Sequence, residues 1–395
     1  MTDELKRRIG LPLLAAYGVG VIVGAGIYVL IGAVAAQAGL WAPLAFVIAG
    51  VIAAPTALSY AEFSARIPQA AGEAAYVRAG LGSRALSLLV GLAIVIGGTV
   101  SAAAVLQGGA GYLRAILPVS QHAAIIGLGV ILTLVAGVGV LESLSMAALF
   151  TVIELTGLGL VIWAGFSAPP VAVLADMPAP DWNLIAAGAL LAFFAFIGFE
   201  DIVNMAEEVR DPTRTLPRAI LIALIVTSVL YALVAWAAVR SVPVADLAGS
   251  DKPLALVWSA ATGQEARFLS GIAVFAALNG VLAQIVMAAR VLYGLGQDTP
   301  WLSLFHHAHP RFGTPVLATG LLGLVVIVAA LLLPLVSLAE ATSTVILLVF
   351  LLVNLALIGQ KRIQPQAPFR VPMAVPVLGA TLAFAALVAT FGGVG

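Results

Sequence analysis

The chain has 395 residues, of which 62% are apolar and only 9% charged, and its mean hydropathy is +1.14. Soluble domains carry about 25% charged residues, so this composition describes a polytopic, all-α integral membrane protein. Eighteen basic and eighteen acidic residues cancel, leaving no bulk electrostatic case for nucleic acid. The absence of cysteine excludes disulfides, thiolate-held metal and cysteine catalysis.

Apolar runs bounded by charges and by Pro, Gly or polar turns predict eleven membrane spans, at about 9–34, 41–65, 84–115, 122–139, 144–166, 183–206, 215–239, 264–294, 315–333, 336–359 and 373–393. The first reads as a retained helix and not a cleaved signal. A signal's apolar core is about 7–15 residues, whereas no charge separates Arg8 from Glu62, which leaves room for two spans. The stretch Ile67 to Ser83 reads equally well as a connector or as a short helix lying along the membrane. Connections at 67–83, 167–182, 240–263 and 295–314 are too short to hold a soluble core, so residues 1–395 form one transmembrane domain. With a cytoplasmic N-terminus, only Arg114, Arg240, Lys252 and Arg267 of the eighteen basic residues fall outside. That asymmetry predicts a multi-pass protein of the cell (inner) membrane, N-terminus in and C-terminus out.

Two spans are interrupted at corresponding places, the first at Gly24-Ala25-Gly26 and the sixth at Gly198, within Phe193-Phe194-Ala195-Phe196-Ile197-Gly198-Phe199-Glu200-Asp201. Glycine in the first span also suits close helix packing. Five helices separate the two interruptions, and an odd number of crossings inverts the second unit relative to the first. Paired Gly-interrupted segments in two halves point to a transporter site at the repeat interface. Irregular backbone at membrane depth is tolerated where it lines a cavity or is buried in protein.

Several acids lie at membrane depth, where charge marks function. Glu154, in the fifth span, has Thr151 and Gly157 on its face and turns toward the bundle. Two readings stand for it: a carrier of a coupling proton or counter-charge to a cationic substrate, or a hydrogen-bonded structural carboxyl. Glu200 and Asp201 follow the second break. Glu200 reads as a tuning or second titrating group, and Asp201 equally as a contact to a neighbouring helix. Glu340 reads as an outer gate or as an interfacial residue. The mixed-sign stretch Glu207 to Arg218 predicts ion pairs to neighbouring loops. His306, His307 and His309 lack the acids or cysteines that would make a metal site.

These residues resemble a known family. Gly24-Ala25-Gly26-Ile27-Tyr28 is similar to the Gly-rich signature of amino acid–polyamine–organocation (APC) transporters. Phe193 to Asp201, followed by Ala206 to Ile220, resembles that family's most specific stretch. Tyr60-Ala61-Glu62 with Pro68 and Gly72-Glu73, and Ala289-Arg290-Val291-Leu292-Tyr293, match further parts in order. The resemblance implies a LeuT-type five-plus-five inverted repeat, helices 1 and 6 discontinuous, with repeats at 9–166 and 183–359 and an additional helix at 373–393. It assigns the backbone of Val23, Gly24, Ala25 and Gly26 to a substrate carboxylate. The backbone of Phe194, Ala195, Phe196 and Ile197 goes to its amine, with Phe194 as an aromatic gate and with Ile27 and Gly198 also at the substrate site. Helix N-termini attract anions and C-termini attract cations, in agreement with that division. Ala102 and Asn279 fall on the expected pocket wall, with Ala276 and Ala283. Aligned from Glu142-Ser143, Glu154 stands where some proton-coupled relatives carry lysine, a departure that reverses the charge logic.

The expected function is secondary active transport of an amino acid or related amine, coupled to protons through Glu154 and Glu200. An exchanger or exporter without proton coupling is the alternative. A channel would carry filter loops or charged rings, and an enzyme a convergent catalytic set; neither pattern is present in the sequence. No cofactor or metal is expected, no phosphate-cradling loop provides for ATP, and the oligomeric state stays open. Small apolar wall residues suit neutral substrates, while the acids suit cationic ones.

Overall fold

The computed structural model describes residues 9–24, 26–68, 72–138, 144–172, 177–206 and 208–391. It is 83% helix, with no strand among the described residues. A bilayer core offers no water to amides and carbonyls, so a chain this apolar satisfies them within helices.

The first expected span is two half-helices, α1 (Leu11–Val23) and α2 (Gly26–Ala38). Then come α3 (Ala42–Arg66), the short α4 (Gly72–Leu81), α5 (Arg84–Arg114), α6 (Gln121–Val138) and α7 (Leu144–Ser167). The sixth expected span is α8 (Trp182–Phe193), continued by two 3-10 turns at Phe194–Phe196 and Phe199–Met205. After it run α9 (Pro212–Ser241), the short α10 (Val244–Ala248) and α11 (Pro253–Thr262), α12 (Arg267–Asp298), α13 (Val316–Leu332), α14 (Leu335–Ile363) and α15 (Ala374–Phe391).

Eight helical stretches among the described residues are long and apolar enough to cross a membrane, against the eleven spans expected. The first span is cut into two 13-residue halves. Its second half runs through the turn Gly39–Trp41 straight into α3, so that Gly26–Arg66 forms one apolar stretch. The ninth and eleventh are shorter helices, over Val316–Leu332 and Ala374–Thr390. At 1.5 Å per residue, such lengths fall short of a hydrocarbon core of about 30 Å.

The most extensive helix pairs are α5 with α12 and α3 with α9, and α6 lies along α13. Small residues permit the close approach: Gly109 of α5 meets Ala277 of α12, and Gly98 meets Gln284. Helix α4 packs on α14 and α5, while α10 and α11 pack on α2, α7 and α9. The connector 67–83 is therefore helical over Gly72–Leu81.

The two ends of α5 mark the two ends of the bundle. At the end where Arg114 lies, Arg114 pairs with Asp251 at 2.9 Å. At the other, buried Glu62 accepts from Arg66 at 2.6 Å, Lys361 at 2.5 Å and the Val371 amide at 2.8 Å. The expected ion pairs from 207–218 to neighbouring loops are absent among the described residues, Glu207 itself lying outside them. The ion pair in this stretch is the local Asp211–Arg214, at 3.9 Å. Backbone anchors it instead: the Ile9 amide donates to the Glu208 carbonyl at 3.0 Å and the Arg210 amide to the Ile9 carbonyl at 2.9 Å.

Candidate functional site

Helix α1 stops at Val23 because Gly24 takes φ 31°, ψ −144°, a conformation that suits only glycine. Helix α8 stops at Phe193, and after one turn Gly198 adopts φ 131°. The two breaks face each other. A Cβ on Gly26 would stand 3.1 Å from the Ala195 Cα, and one on Gly198 would stand 2.9 Å from the Val21 carbonyl oxygen. The fully buried Tyr231 of α9 clasps both: its hydroxyl lies 2.7 Å from the Ile22 carbonyl and 2.8 Å from that of Ala195, donating its one proton between them.

A cavity of about 1360 Å³ runs from the breaks to one end of the bundle. Gly24, Gly26, Phe194 and Ile197 wall its deep part with Ser101 of α5, Thr151 of α7 and Asn279 and Ala283 of α12; Arg78, Arg84 and Arg290 line its mouth. The opposite end, that of Arg114, is sealed by hydrogen bonds. The Leu254 amide donates to the Tyr112 hydroxyl at 3.3 Å, Tyr112 donates to the Tyr28 carbonyl at 2.9 Å, and Tyr28 donates to the Glu154 carbonyl at 2.9 Å. The Tyr28 and Tyr112 rings meet edge to face at 6.3 Å. These contacts join α11, α5, α2 and α7 above the breaks.

Among the residues expected at the site, Gly24, Gly26, Phe194, Ile197 and Asn279 line the cavity. Ala25 lies outside the described residues, as do Glu142 and Ser143. Val23, Ile27, Ala195 and Phe196 are buried behind the wall, and Gly198 packs against Val21. Ala102 is fully buried and its place on the wall belongs to Ser101, because successive helical residues turn by about 100°. Ala276 is likewise buried, while Ala283 lines the cavity. Glu154 is buried in α7 and outside the wall, its backbone carbonyl held by Tyr28. Glu200 is committed locally, its carboxylate accepting from the Gly198 amide at 2.9 Å, whereas Asp201 lines the cavity. Glu340 is exposed at the start of α14.

Sequence reasoning missed Tyr231 and Gln284. A single tyrosine in the apolar run Ile225 to Val234 was the available signal for the first. Nearer the cavity mouth, Glu73 of α4 is buried beside Tyr60 and Tyr76, and burial pushes its carboxyl up to about 7. His306 stacks on Tyr293 at 4.4 Å, and the described residues bring together no group of His, Asp and Glu that could hold a metal ion.

The family model described as amino acid permease matches residues 9–394. A transporter of Mycobacterium tuberculosis is 33% identical, over 82% of this chain and 73% of its own length. The branched-chain amino acid permease BcaP of Bacillus subtilis is 30% identical over 95% and 85%. The methylthioribose transporter of the same organism is 30% identical over 96% and 87%. The chain belongs to the amino acid permease family of the APC superfamily.

Proposed function

We propose that this chain is a secondary active transporter of amino acids or related amines that works by alternating access across the cell (inner) membrane. The observation that carries the reading is the meeting of two broken helices at the head of a cavity open at one end. At the break, α2 presents its N-terminus and α8 its C-terminus, a pair of opposite partial charges suited to a carboxylate and an amine on one carbon. A relative named for branched-chain amino acids agrees with a backbone site for those two groups.

A five-plus-five inverted repeat, 9–166 and 183–359 with 373–393 added, fits the packing. Counterpart helices pair with each other, α3 with α9, α5 with α12 and α6 with α13. The short α4 follows the second span of one half and α10 and α11 follow that of the other, at opposite ends of the bundle. With the N-terminus cytoplasmic, the cavity faces the cytoplasm and the tyrosine seal faces outside. Glu154, buried next to the Tyr28 seal, carries the coupling proton, and Glu200 holds the second break.

Uptake of labelled amino acids into proteoliposomes tests the reading. Wild-type protein is expected to accumulate substrate under an inward proton gradient. Gly198→Val abolishes uptake, and Glu154→Gln loses gradient-driven accumulation while keeping exchange. Uptake that survives Gly198→Val contradicts the site, and proton-driven accumulation by Glu154→Gln contradicts the coupling.

A further inference from the structure

Toward its mouth the large cavity carries charge of both signs, and the signs sit on different bodies of helices. Arg78 of α4, Arg84 at the start of α5 and Arg290 of α12 belong to one, since α5 packs extensively on α12 and also on α4. Asp201, in the 3-10 turn Phe199–Met205, and Glu208, just past that turn, belong to another. None of these side chains forms an ion pair or a hydrogen bond among the described residues.

The acids are tied to α1. Their turn packs on that helix, and beyond the turn the Ile9 amide donates to the Glu208 carbonyl at 3.0 Å while the Arg210 amide donates to the Ile9 carbonyl at 2.9 Å. Neither α1 nor the turn packs extensively on α5 or α12, so the cavity separates the two bodies. Across it the charges are near one another. Tyr17 of α1 lines the cavity, and Asp201, Arg290 and Glu208 all lie within electrostatic reach of its hydroxyl. Arg290 also stands one helical turn past Met287, which shares the wall of a small adjoining pocket with Asp201.

A general excess of arginine on the cytoplasmic side accounts for Arg78 and Arg84, which flank a loop. It does not account for an arginine on the cavity wall with two unpaired acids facing it from a separate body. Alternating access requires the open end to close while the tyrosine-sealed end opens. Bringing α1 and the turn against α12 takes these charges out of water, a step that unpaired charges oppose. Opposite charges on the two surfaces favour it instead. We propose that Arg290 is the latch of the cavity mouth, its guanidinium pairing with Asp201 and Glu208 when the mouth closes. A planar fork with five donors serves two carboxylates at once, and the Tyr17 hydroxyl brings a further donor. The proposal rests on the transport reading above, which is what requires this end to close.

The test measures transport by the full chain in proteoliposomes and substrate binding by the purified protein. Arg290→Gln is expected to lower the maximal transport rate about tenfold with little change in equilibrium affinity, because the latch acts on closure and not on the substrate. Glu208→Gln slows transport in the same sense and serves if Arg290→Gln does not fold. Arg290→Glu is slower still, and adding Glu208→Arg raises its rate severalfold by exchanging the two charges. The chain has no native cysteine, so Arg290→Cys combined with Glu208→Cys gives a second measurement. Copper-phenanthroline and oxygen are expected to join that pair during transport and to stop transport until a thiol reduces the bond. A wild-type rate in Arg290→Gln and Glu208→Gln overturns the latch. So does a charge exchange no faster than Arg290→Glu alone, or a cysteine pair that never joins. Loss of substrate binding in Arg290→Gln also overturns it, by assigning the arginine to the substrate. Each of these outcomes leaves wild-type transport standing, whereas failure of the wild-type protein to transport any amino acid rejects both the transport reading and the latch.

Discussion

Gly26 and Ala195 meet where the two broken helices converge, so closely that a Cβ on Gly26 would lie 3.1 Å from the Ala195 Cα. Each belongs to a different half of the chain, and the substrate site proposed here depends on their contact. Forcing extra volume into a packed site costs about 1–3 kcal/mol. Gly26→Ala is therefore expected to weaken substrate binding by about tenfold, a cost of about 1.4 kcal/mol, and Gly26→Val to abolish it. Titration of purified protein with its transported amino acid checks this.

Tyr231 holds the same junction through one hydroxyl shared between Ile22 and Ala195. Tyr231→Phe leaves two buried carbonyls without that donor, which costs about 1–3 kcal/mol. The variant is expected to melt at lower temperature in detergent and to bind substrate more weakly. An unchanged melting temperature and affinity would assign the junction's stability to packing alone.

At the cavity-mouth end of the bundle, Glu62 serves two cations, Arg66 and Lys361, and one backbone amide. Glu62→Gln strands both cations in a buried site, and breaking a buried pair costs about 3–5 kcal/mol. Lys361→Met leaves the carboxylate with Arg66 and the Val371 amide, so it is the milder change. In the double variant the stability loss is expected to be less than the sum of the singles. A double-mutant cycle of thermal melts measures the coupling, and strict additivity would refute it.

Burial raises the Glu73 carboxyl from 4.5 in the free side chain to about 7. Between those values the folded protein binds a proton that the unfolded chain has released, so stability falls as pH rises through that window. It is unaffected by this group below it. The melting temperature is expected to decline from about pH 4.5 to about pH 7, and Glu73→Gln to flatten that decline. Tyr60 and Tyr76 flank the carboxyl, and Asp201 and Glu200 at the break lie within electrostatic reach of it. An equally steep decline in Glu73→Gln would place the titration on one of those acids.

Both breaks were legible because glycine interrupting an apolar run has a local signature, and so was the burial of Glu154. Register was not: Ala102 and Ser101 are neighbours in sequence, yet only the serine reaches the cavity. Tyr231 escaped notice because its partners are backbone carbonyls in other helices, which have no signature in sequence. Lys361 is 299 residues from Glu62, and no local pattern links them. The eleven expected spans became eight long helices and shorter ones for a similar reason. Hydropathy marks apolar stretches but not where a turn such as Gly39–Trp41 joins two of them.

The most direct test of the central claim, that the cavity below the two breaks is the substrate site and opens to the cytoplasm, uses the chain's lack of native cysteine. Ala283 lines that cavity, so Ala283→Cys places one reactive thiol in its wall. In inside-out vesicles a membrane-impermeant maleimide is expected to label this variant, and the transported amino acid is expected to block labelling at concentrations that match its binding. Labelling confined to right-side-out vesicles, or undiminished at saturating substrate while uptake continues, would contradict the account.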